Sequence, residues 1–192
     1  MKSPLPYPSR MAVENPNLIW IDCEMTGLSL QRDALVEIAV LVTDAELNLL
    51  GEGVQFVIST TAEKLEQMSP EVRTMHTESG LLPLIADGVS ISLAEEKILE
   101  YLKVHTAAGK SPLAGNSIAM DRNFISRDMP TLDSYLHYRS IDVSSIKELA
   151  RRWYPKVYFE APKKTGNHRA LGDIQDSIAE LKYYREKIFL HS

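Results

Sequence analysis

The segment Leu18-Ile19-Trp20-Ile21 constrains the fold most, because it is apolar at every position and is followed at once by Asp22. Side chains on a β-strand alternate between the two faces of a sheet, so a strand that is apolar throughout is buried on both faces. Such a strand lies inside a sheet that is covered on each side. We therefore predict a central strand over Leu18–Asp22 in an α/β protein.

Three predicted strands are followed by helices, a strand, a helix, a strand and further helices, an order that indicates an α/β sheet covered by helices. Further strands are predicted at Ala34–Thr43, about Gly51–Ile58, Pro112–Gly115 and roughly Tyr138–Val143. The last helix is the clearest, with apolar residues at helical spacing at Leu171, Ile174, Ile178, Leu181 and Ile188. For 192 residues we expect a flexible tail over residues 1–17 and a single domain over 18–192.

Three helix starts are predicted from capping boxes, in which a Ser or Thr and a Glu three residues later satisfy free N–H groups. The boxes are Thr60-x-x-Glu63, Ser92-x-x-Glu95 and Ser145-x-x-Glu148. The Lys-rich stretch from Lys156 to Asn167 is predicted to be an irregular loop.

Composition excludes several classes of protein. With 44% hydrophobic and 24% charged residues, the chain lacks the bias of a disordered protein. Its apolar runs fall far short of the roughly 20 residues that a membrane span requires, so no membrane contact is expected. Cys23 is the single cysteine, which excludes an internal disulfide and a zinc ribbon or finger. A reducing, cytoplasmic location is expected.

The net charge of −5 argues against a protein that grips long nucleic acids through a broad positive surface. The charge is uneven, however, because residues 139–169 carry eight Lys or Arg residues and three acidic ones. A compact basic region beside an acidic body could hold a few phosphates next to bound metal cations. The alternative is an ordinary solvated helix and loop.

Four carboxylates stand at positions where they could converge. Asp22 and Glu24 share one face of the first strand, with Cys23 on the other, while Asp121 lies near a helix start and Asp173 in the first turn of the last helix. Taken singly, the two helical residues could simply complement helix dipoles. Taken together, four carboxylates favour two Mg²⁺ or Mn²⁺ ions, which suits phosphodiester hydrolysis.

Hydrolysis also requires a group that removes a proton from the attacking water, and His168 has a suitable intrinsic pKa. His168 and Asp173 are five residues apart, which is about 140° around a helix, so both cannot face the site from one regular helix. We therefore expect His168 on the loop that precedes the last helix.

The order of these residues resembles the DEDDh branch of the DEDD 3′-to-5′ exonucleases, which have a ribonuclease H-like fold. The resemblance rests on Asp22-x-Glu24, on Asp121 after Gly115-Asn116-Ser117, and on His168-x-x-x-x-Asp173. Neighbouring segments are similar to the oligoribonuclease family, and the likeness covers about Leu18 to Phe189. These segments are Trp20–Leu28, Pro112–Ser117, His137–Arg139, Ile141–Ser144, Lys147–Pro155 and His168–Leu171.

This resemblance implies a ribonuclease H-like mixed sheet flanked by helices and a homodimeric enzyme that degrades very short RNAs to 5′-mononucleotides, with dinucleotides preferred. It implies that Leu28 wedges between two bases and that Tyr138 from the other subunit closes the pocket. It also implies that Arg139, Ser117 and Ser144 hold the 5′-phosphate. His76 would lie near the bases or the scissile region.

Two positions depart from the family pattern. Glu71 stands where many relatives place an aromatic residue that stacks on a base, and Gly172 stands where relatives often have a second acid. Ordinary alternatives also exist: Leu28 as loop packing, Tyr138 and Arg139 as surface residues, and Ser144 as a helix cap beside Ser145. Competing functions are a related DEDDh exonuclease for longer 3′ ends, in tRNA trimming or proofreading, and a non-catalytic binding module.

Overall fold

The computed structural model describes residues 16–163 and 169–189. Its strands are β1 (Leu18–Met25), β2 (Leu35–Thr43), β3 (Val54–Val57), β4 (Pro112–Gly115) and β5 (His137–Asp142). Its helices are α1 (Ala62–Glu66), α2 (Pro70–Glu78), α3 (Ile91–His105), α4 (Ala119–Asp128), α5 (Pro130–Tyr135), α6 (Val143–Trp153), α7 (Pro155–Phe159) and α8 (Ala170–Ile188), with a 3₁₀ turn at Leu82–Asp87. In this part of the chain, no helix combines the length and apolar character needed to span a membrane.

The strands form one mixed sheet in the order β3-β2-β1-β4-β5. The β1 strand runs antiparallel to β2 and parallel to β4, and β5 runs parallel to β4. The predicted central strand is confirmed, since Ile19, Trp20 and Ile21 are at most 1% exposed. The mixed sheet flanked by helices is likewise confirmed.

Two apolar cores lie on opposite faces of the sheet, and the alternation along β1 decides which side chains enter each. Ile19, Ile21 and Cys23 pack in the core that includes residues of α3, α4 and α5. Leu18 and Trp20 pack in the other core, which includes residues of α6 and α8. The even-numbered positions of β1 therefore face α8, and the predicted placement of Cys23 on the opposite face is confirmed.

The three capping-box predictions are wrong by one to three residues. The caps are Thr61, Ser90 and Asp142, whose side chains accept the N–H groups of Lys64, Leu93 and Ser144. The glutamates of two boxes have other partners. Glu95 accepts the Thr131 and Leu132 N–H groups at the start of α5, and Glu148 pairs with Arg151 and Arg152.

The prediction of an irregular loop from Lys156 to Asn167 is also wrong at its start, where α7 forms. Pro155 occupies the first helical turn, where its missing N–H costs nothing. Val157 and Tyr158 pack against the core on the α8 side, which stabilises this short helix. Residues 164–167 lie outside the described part of the chain. The same holds for residues 1–15 of the predicted tail, whereas the Asn17 amide donates to the His105 carbonyl at 2.7 Å.

Candidate active site

Two acidic side chains, Asp22 and Glu24, lie near the end of the central strand, on the face that α8 covers. Asp22 lies opposite Ala39 of β2, and Glu24 lies opposite Glu37, just before an irregularity in the pairing of β1 with β2. The Glu24 side chain is buried, and Asp22 is half-buried. These carboxylates therefore lie in a strand whose other residues all pack in the two apolar cores.

Asp173 meets these two carboxylates from the first turn of α8. One ligand oxygen from each of Asp22, Glu24 and Asp173 lies within 4.8 Å of the others. The predicted convergence of these three residues is therefore found in the structure, and we call them the acidic cluster. Oxygen donors at this spacing, without sulfur, fit a hard divalent cation such as Mg²⁺ or Mn²⁺.

Asp121 reaches the end of β1 from α4, on the other side of the sheet. Its Oδ1 accepts the Cys23 backbone N–H at 3.0 Å, which places the carboxylate between the positions of Asp22 and Glu24 along the strand. Burial, followed by the charge of Asp121, raises the pKa of the Cys23 thiol well above its ordinary value. Cys23 is therefore a neutral core residue and is no candidate nucleophile.

Crowding of negative charge shapes the electrostatics of the site. Burial, then the charges of Asp173, Glu37 and Asp121, raises the pKa of Glu24 to about 8, while Arg169 acts in the opposite direction. Burial also raises the pKa of Asp121 to about 6, against the effect of its backbone hydrogen bonds. A divalent cation would offset this repulsion, since an opposite charge favours the ionised form of each carboxyl group.

These shifts predict how the stability of the metal-free chain depends on pH. Between the ordinary Glu24 pKa of 4.5 and the folded value of about 8, the folded state binds more protons than the unfolded state. The free energy of unfolding should then fall as pH rises through this window, and Asp121 contributes with the same sign. Urea unfolding in chelator at a series of pH values measures the slope. The variant Glu24→Gln should show a shallower fall, and an equal slope in both proteins would contradict the assignment.

Two histidines, His76 and His168, are predicted to belong to the site. His168, the predicted general base, lies outside the described residues. His76 is fully buried in α2, where its Nε2 donates to the Met25 carbonyl at 2.8 Å. Its Nδ1 lies 3.9 Å from Glu24 Oε2 and has no hydrogen-bond partner among the described residues. In this conformation the ring faces the acidic cluster, and its predicted contact with substrate stays a prediction.

Leu28 stands on a turn after β1, and its side chain is 70% exposed. The turn is organised by Asp33, which accepts the Ser29 N–H at 2.7 Å and lies beside the Thr26 hydroxyl. A Cβ at Gly27 would come within 2.5 Å of the Asp33 carboxylate, so glycine is required for this close approach. Leu28 is thus an exposed apolar side chain on a hydrogen-bonded turn and does not pack in a core.

Ser117 and Ser144, which are predicted to share a phosphate, lie together after β4 and at the start of α6. The Ser117 N–H donates to Ser144 Oγ at 3.1 Å and to Asp142 Oδ1 at 3.0 Å. The Ser144 hydroxyl also donates to Asp142. Ser117 has a φ of +56°, a backbone conformation that costs energy for a residue other than glycine.

Tyr138 and Arg139 lie on β5, the edge strand of the sheet, and both side chains are exposed. The Arg139 guanidinium lies 5.3 Å from the centre of the Tyr138 ring. The Tyr138 ring also lies against His137, with 4.4 Å between ring centres. These side chains form a polar and aromatic group that is open to solvent.

Sequence reasoning missed three acidic residues that organise this region: Asp33, Glu37 and Asp142. Glu37 is 0% exposed, and its carboxylate accepts hydrogen bonds from Arg169, Ala170 and Gln55. A signal for it exists, because one glutamate interrupts the otherwise apolar run Leu35–Val42. A charged residue in a fully buried strand must have partners, although the sequence does not name them.

Comparisons with known proteins agree with this geometry. Residues 19–181 match the RNase_T family, described as an exonuclease. The oligoribonuclease of Streptomyces avermitilis is 60% identical over 177 residues, which cover 92% of this chain and 88% of that protein. The oligoribonuclease of Cutibacterium acnes is 54% identical over 176 residues, covering 91% of this chain and 87% of that protein.

Solved structures of exonuclease I share the fold. The zinc-bound complex of the E. coli enzyme with single-stranded DNA superposes with a TM-score of 0.70 at 16% identity. The enzyme from Methylocaldum szegediense gives a TM-score of 0.66 at 20% identity. The matched region covers 91% and 90% of this chain but only 41% of either exonuclease I chain. This likeness confirms the ribonuclease H-like fold.

Proposed function

We propose, from the premise that this chain belongs to the oligoribonuclease family of 3′-to-5′ exoribonucleases, that its preferred substrates are very short RNAs, and dinucleotides above all. The products would be 5′-mononucleotides. The observation that carries the proposal is the acidic cluster at the end of β1, which lies on the same molecule as an exposed Leu28 and a pair of linked serines. The premise itself rests on the 60% identity reported above.

Asp22, Glu24 and Asp173, together with Asp121, would hold two divalent cations, Mg²⁺ or Mn²⁺. The donor set fits such ions because the residues of the cluster offer oxygen ligands within 4.8 Å of one another. When bound, the ions would stabilise the charge that develops on the attacking and leaving oxygens of the phosphodiester. The raised pKa of Glu24 supports this role, since the site repels further negative charge until cations are present.

His168 is proposed as the general base that takes a proton from the attacking water. The support is its position in the sequence, one residue before Arg169, which leads into α8, and five before Asp173 of the acidic cluster. A neutral imidazole accepts a proton readily near pH 7. The protonated ring would then carry a positive charge next to the carboxylates.

The remaining substrate contacts are proposed from the family pattern. Leu28 would separate the two bases, Arg139, Ser117 and Ser144 would bind the 5′-phosphate, and His76 would lie near the bases or the scissile region. Tyr138 would close the pocket from the second subunit. Its location on an exposed edge strand supports this role, because side chains there are accessible to a neighbouring chain. A capped phosphate pocket would limit the length of the substrate.

The deciding experiment compares a 5′-labelled RNA dinucleotide with a labelled long single strand, each with Mg²⁺ and with or without chelator. Rapid, chelator-sensitive cleavage of the dinucleotide and slow trimming of the long strand are expected. Cleavage of the long strand at an equal or higher rate would contradict the capped pocket. It would favour a related exonuclease that acts on longer RNA or DNA 3′ ends.

Arg139→Ala is predicted to affect substrates with a 5′-phosphate selectively. A hydrogen bond to a charged group contributes about 1.5–3 kcal/mol, so kcat/KM for the 5′-phosphorylated dinucleotide should fall about 10-fold or more. The unphosphorylated dinucleotide should lose much less. Arg151→Ala, which removes another exposed cation of the same basic region, is the matched control. Equal losses on both substrates would remove Arg139 from the phosphate site.

A homodimer is proposed as well, and exposed aromatic side chains on α6 and α7 support it. Trp153 is 66% exposed and Phe159 80% exposed, with Leu149 and Tyr154 also exposed nearby. Large aromatic residues are enriched in protein interfaces. Light scattering should give twice the chain mass for the wild-type protein and a smaller mass for Trp153→Glu. A wild-type monomer would exclude a second-subunit role for Tyr138. The cytoplasmic location stays a prediction.

A further inference from the structure

Glu37 connects three elements through a single buried carboxylate. On β2, it accepts hydrogen bonds from Arg169 Nη2 at 2.7 Å and Arg169 Nε at 3.0 Å. It also accepts the Ala170 backbone N–H at 3.0 Å and the Gln55 side-chain amide of β3 at 2.8 Å. A fully buried carboxylate that is satisfied in this way holds its partners in one geometry.

The start of α8 depends on these contacts. Arg169 is the N-terminal capping residue of α8, and its own side chain makes no capping hydrogen bond. The N–H groups of a first helical turn need acceptors from outside the helix, and Glu37 provides one for Ala170. The Arg169 carbonyl then accepts the Asp173 N–H at 3.1 Å. The Asp173 backbone is thus hydrogen-bonded to Arg169, whose side chain in turn donates to Glu37.

We propose that Glu37 is a positioning residue of the active site, which fixes the start of α8 and so places the Asp173 carboxylate beside those of Asp22 and Glu24. The register of the sheet gives the geometric basis, because Glu37 lies directly opposite Glu24. One residue of β2 therefore lies beside Glu24 of β1 and also accepts hydrogen bonds from the start of α8. This inference rests on the proposed role of the acidic cluster in metal binding.

Charge balance adds a second reason. Arg169 is only 31% exposed in its side chain and forms its ion pair with Glu37. Without the Glu37 charge, the guanidinium would be left near Glu24 and would compete with a divalent cation for the carboxylates of the cluster. By pairing with Arg169, Glu37 thus leaves the carboxylates of the acidic cluster available to metal, in addition to positioning Asp173.

The test measures Mn²⁺ affinity of the full chain by electron paramagnetic resonance of the free ion, with thermal unfolding followed in parallel. Glu37→Gln is expected to weaken Mn²⁺ binding about 10-fold, the usual effect of losing a group that orients metal ligands. Glu95→Gln is the matched control, since the Glu95 side chain likewise accepts backbone N–H groups at the start of a helix, α5, that follows it in the chain. This control should bind Mn²⁺ as the wild-type chain does.

Unchanged Mn²⁺ affinity in Glu37→Gln, with a loss of thermal stability like that of Glu95→Gln, would overturn the inference and leave Glu37 a structural residue. If Glu37→Gln does not fold, Arg169→Lys decides the question, because it keeps the charge and loses the two-nitrogen contact. It should weaken Mn²⁺ binding by a smaller factor, and wild-type affinity would overturn the inference. A wild-type chain that binds no Mn²⁺ would overturn the proposed metal use and this inference together.

Discussion

In the variant Asp22→Asn, hydrolysis of short RNA is expected to fall about 10³-fold, because metal ligation contributes several kcal/mol to the transition state and each 1.4 kcal/mol is a factor of ten. Asp22 is half-buried at the end of β1, and its carboxylate belongs to the acidic cluster. Asparagine keeps the size of the side chain and removes the charge. The loss should therefore appear in kcat while the fold is retained. Release of 5′-mononucleotides from a labelled dinucleotide measures the rate.

Asp44→Asn is the matched control for this variant. Asp44 follows β2 at the end where Thr43 pairs with Leu18, which is the opposite end of the sheet from the acidic cluster. The same chemical change there should leave hydrolysis at the wild-type rate. Undiminished turnover of Asp22→Asn at saturating Mg²⁺ would refute the assignment of Asp22 as a metal ligand.

Removal of divalent ions is expected to reduce hydrolysis to background and to lower the melting temperature. The stabilisation follows from linkage, since an ion that binds only the folded chain adds about 2.7 kcal/mol at one hundred times its dissociation constant. For a chain of this length, that corresponds to a shift of roughly 5–10 °C. Thermal unfolding in chelator and in excess Mn²⁺, together with the labelled dinucleotide assay, measures both effects.

The variant Asp22→Asn distinguishes ions bound at the acidic cluster from ions bound elsewhere. Its melting temperature should respond less to Mn²⁺ than that of the wild-type chain, because one ligand of the cluster has lost its charge. An equal shift in both proteins would place the stabilising ion at another site. Hydrolysis that persists in chelator would show that the chemistry does not need the metal.

The carboxylates of β1 could be predicted because the information is local. Alternation along a strand places Asp22 and Glu24 on one face whatever the rest of the chain does. The same rule places Cys23 in the opposite core, where the structure has it. Helical periodicity likewise locates α8, but it does not show that Glu37 of β2 accepts the N–H of its first residue, Ala170.

Capping residues show where local reasoning fails. Ser90 and Ser92 are both acceptable caps for α3, and the sequence does not distinguish between them. Glu95 instead accepts hydrogen bonds from Thr131 and Leu132 at the start of α5. These residues follow it in the chain by 36 and 37 positions. A pattern of four residues contains no information about such a competitor.

The sequence by itself determined the α/β class, the central strand and the candidate carboxylates Asp22, Glu24, Asp121 and Asp173, because burial and backbone geometry repeat with short periods. Only the tertiary structure decided which of these residues meet within 4.8 Å, that His76 is buried beside Glu24, and that Glu37 holds the start of α8. Each of these arrangements needs a residue from a distant part of the chain: Asp173 in the cluster, His76 beside Glu24, and Glu37 at the start of α8. A buried polar group must find a partner, but only the packing of strands and helices selects which one.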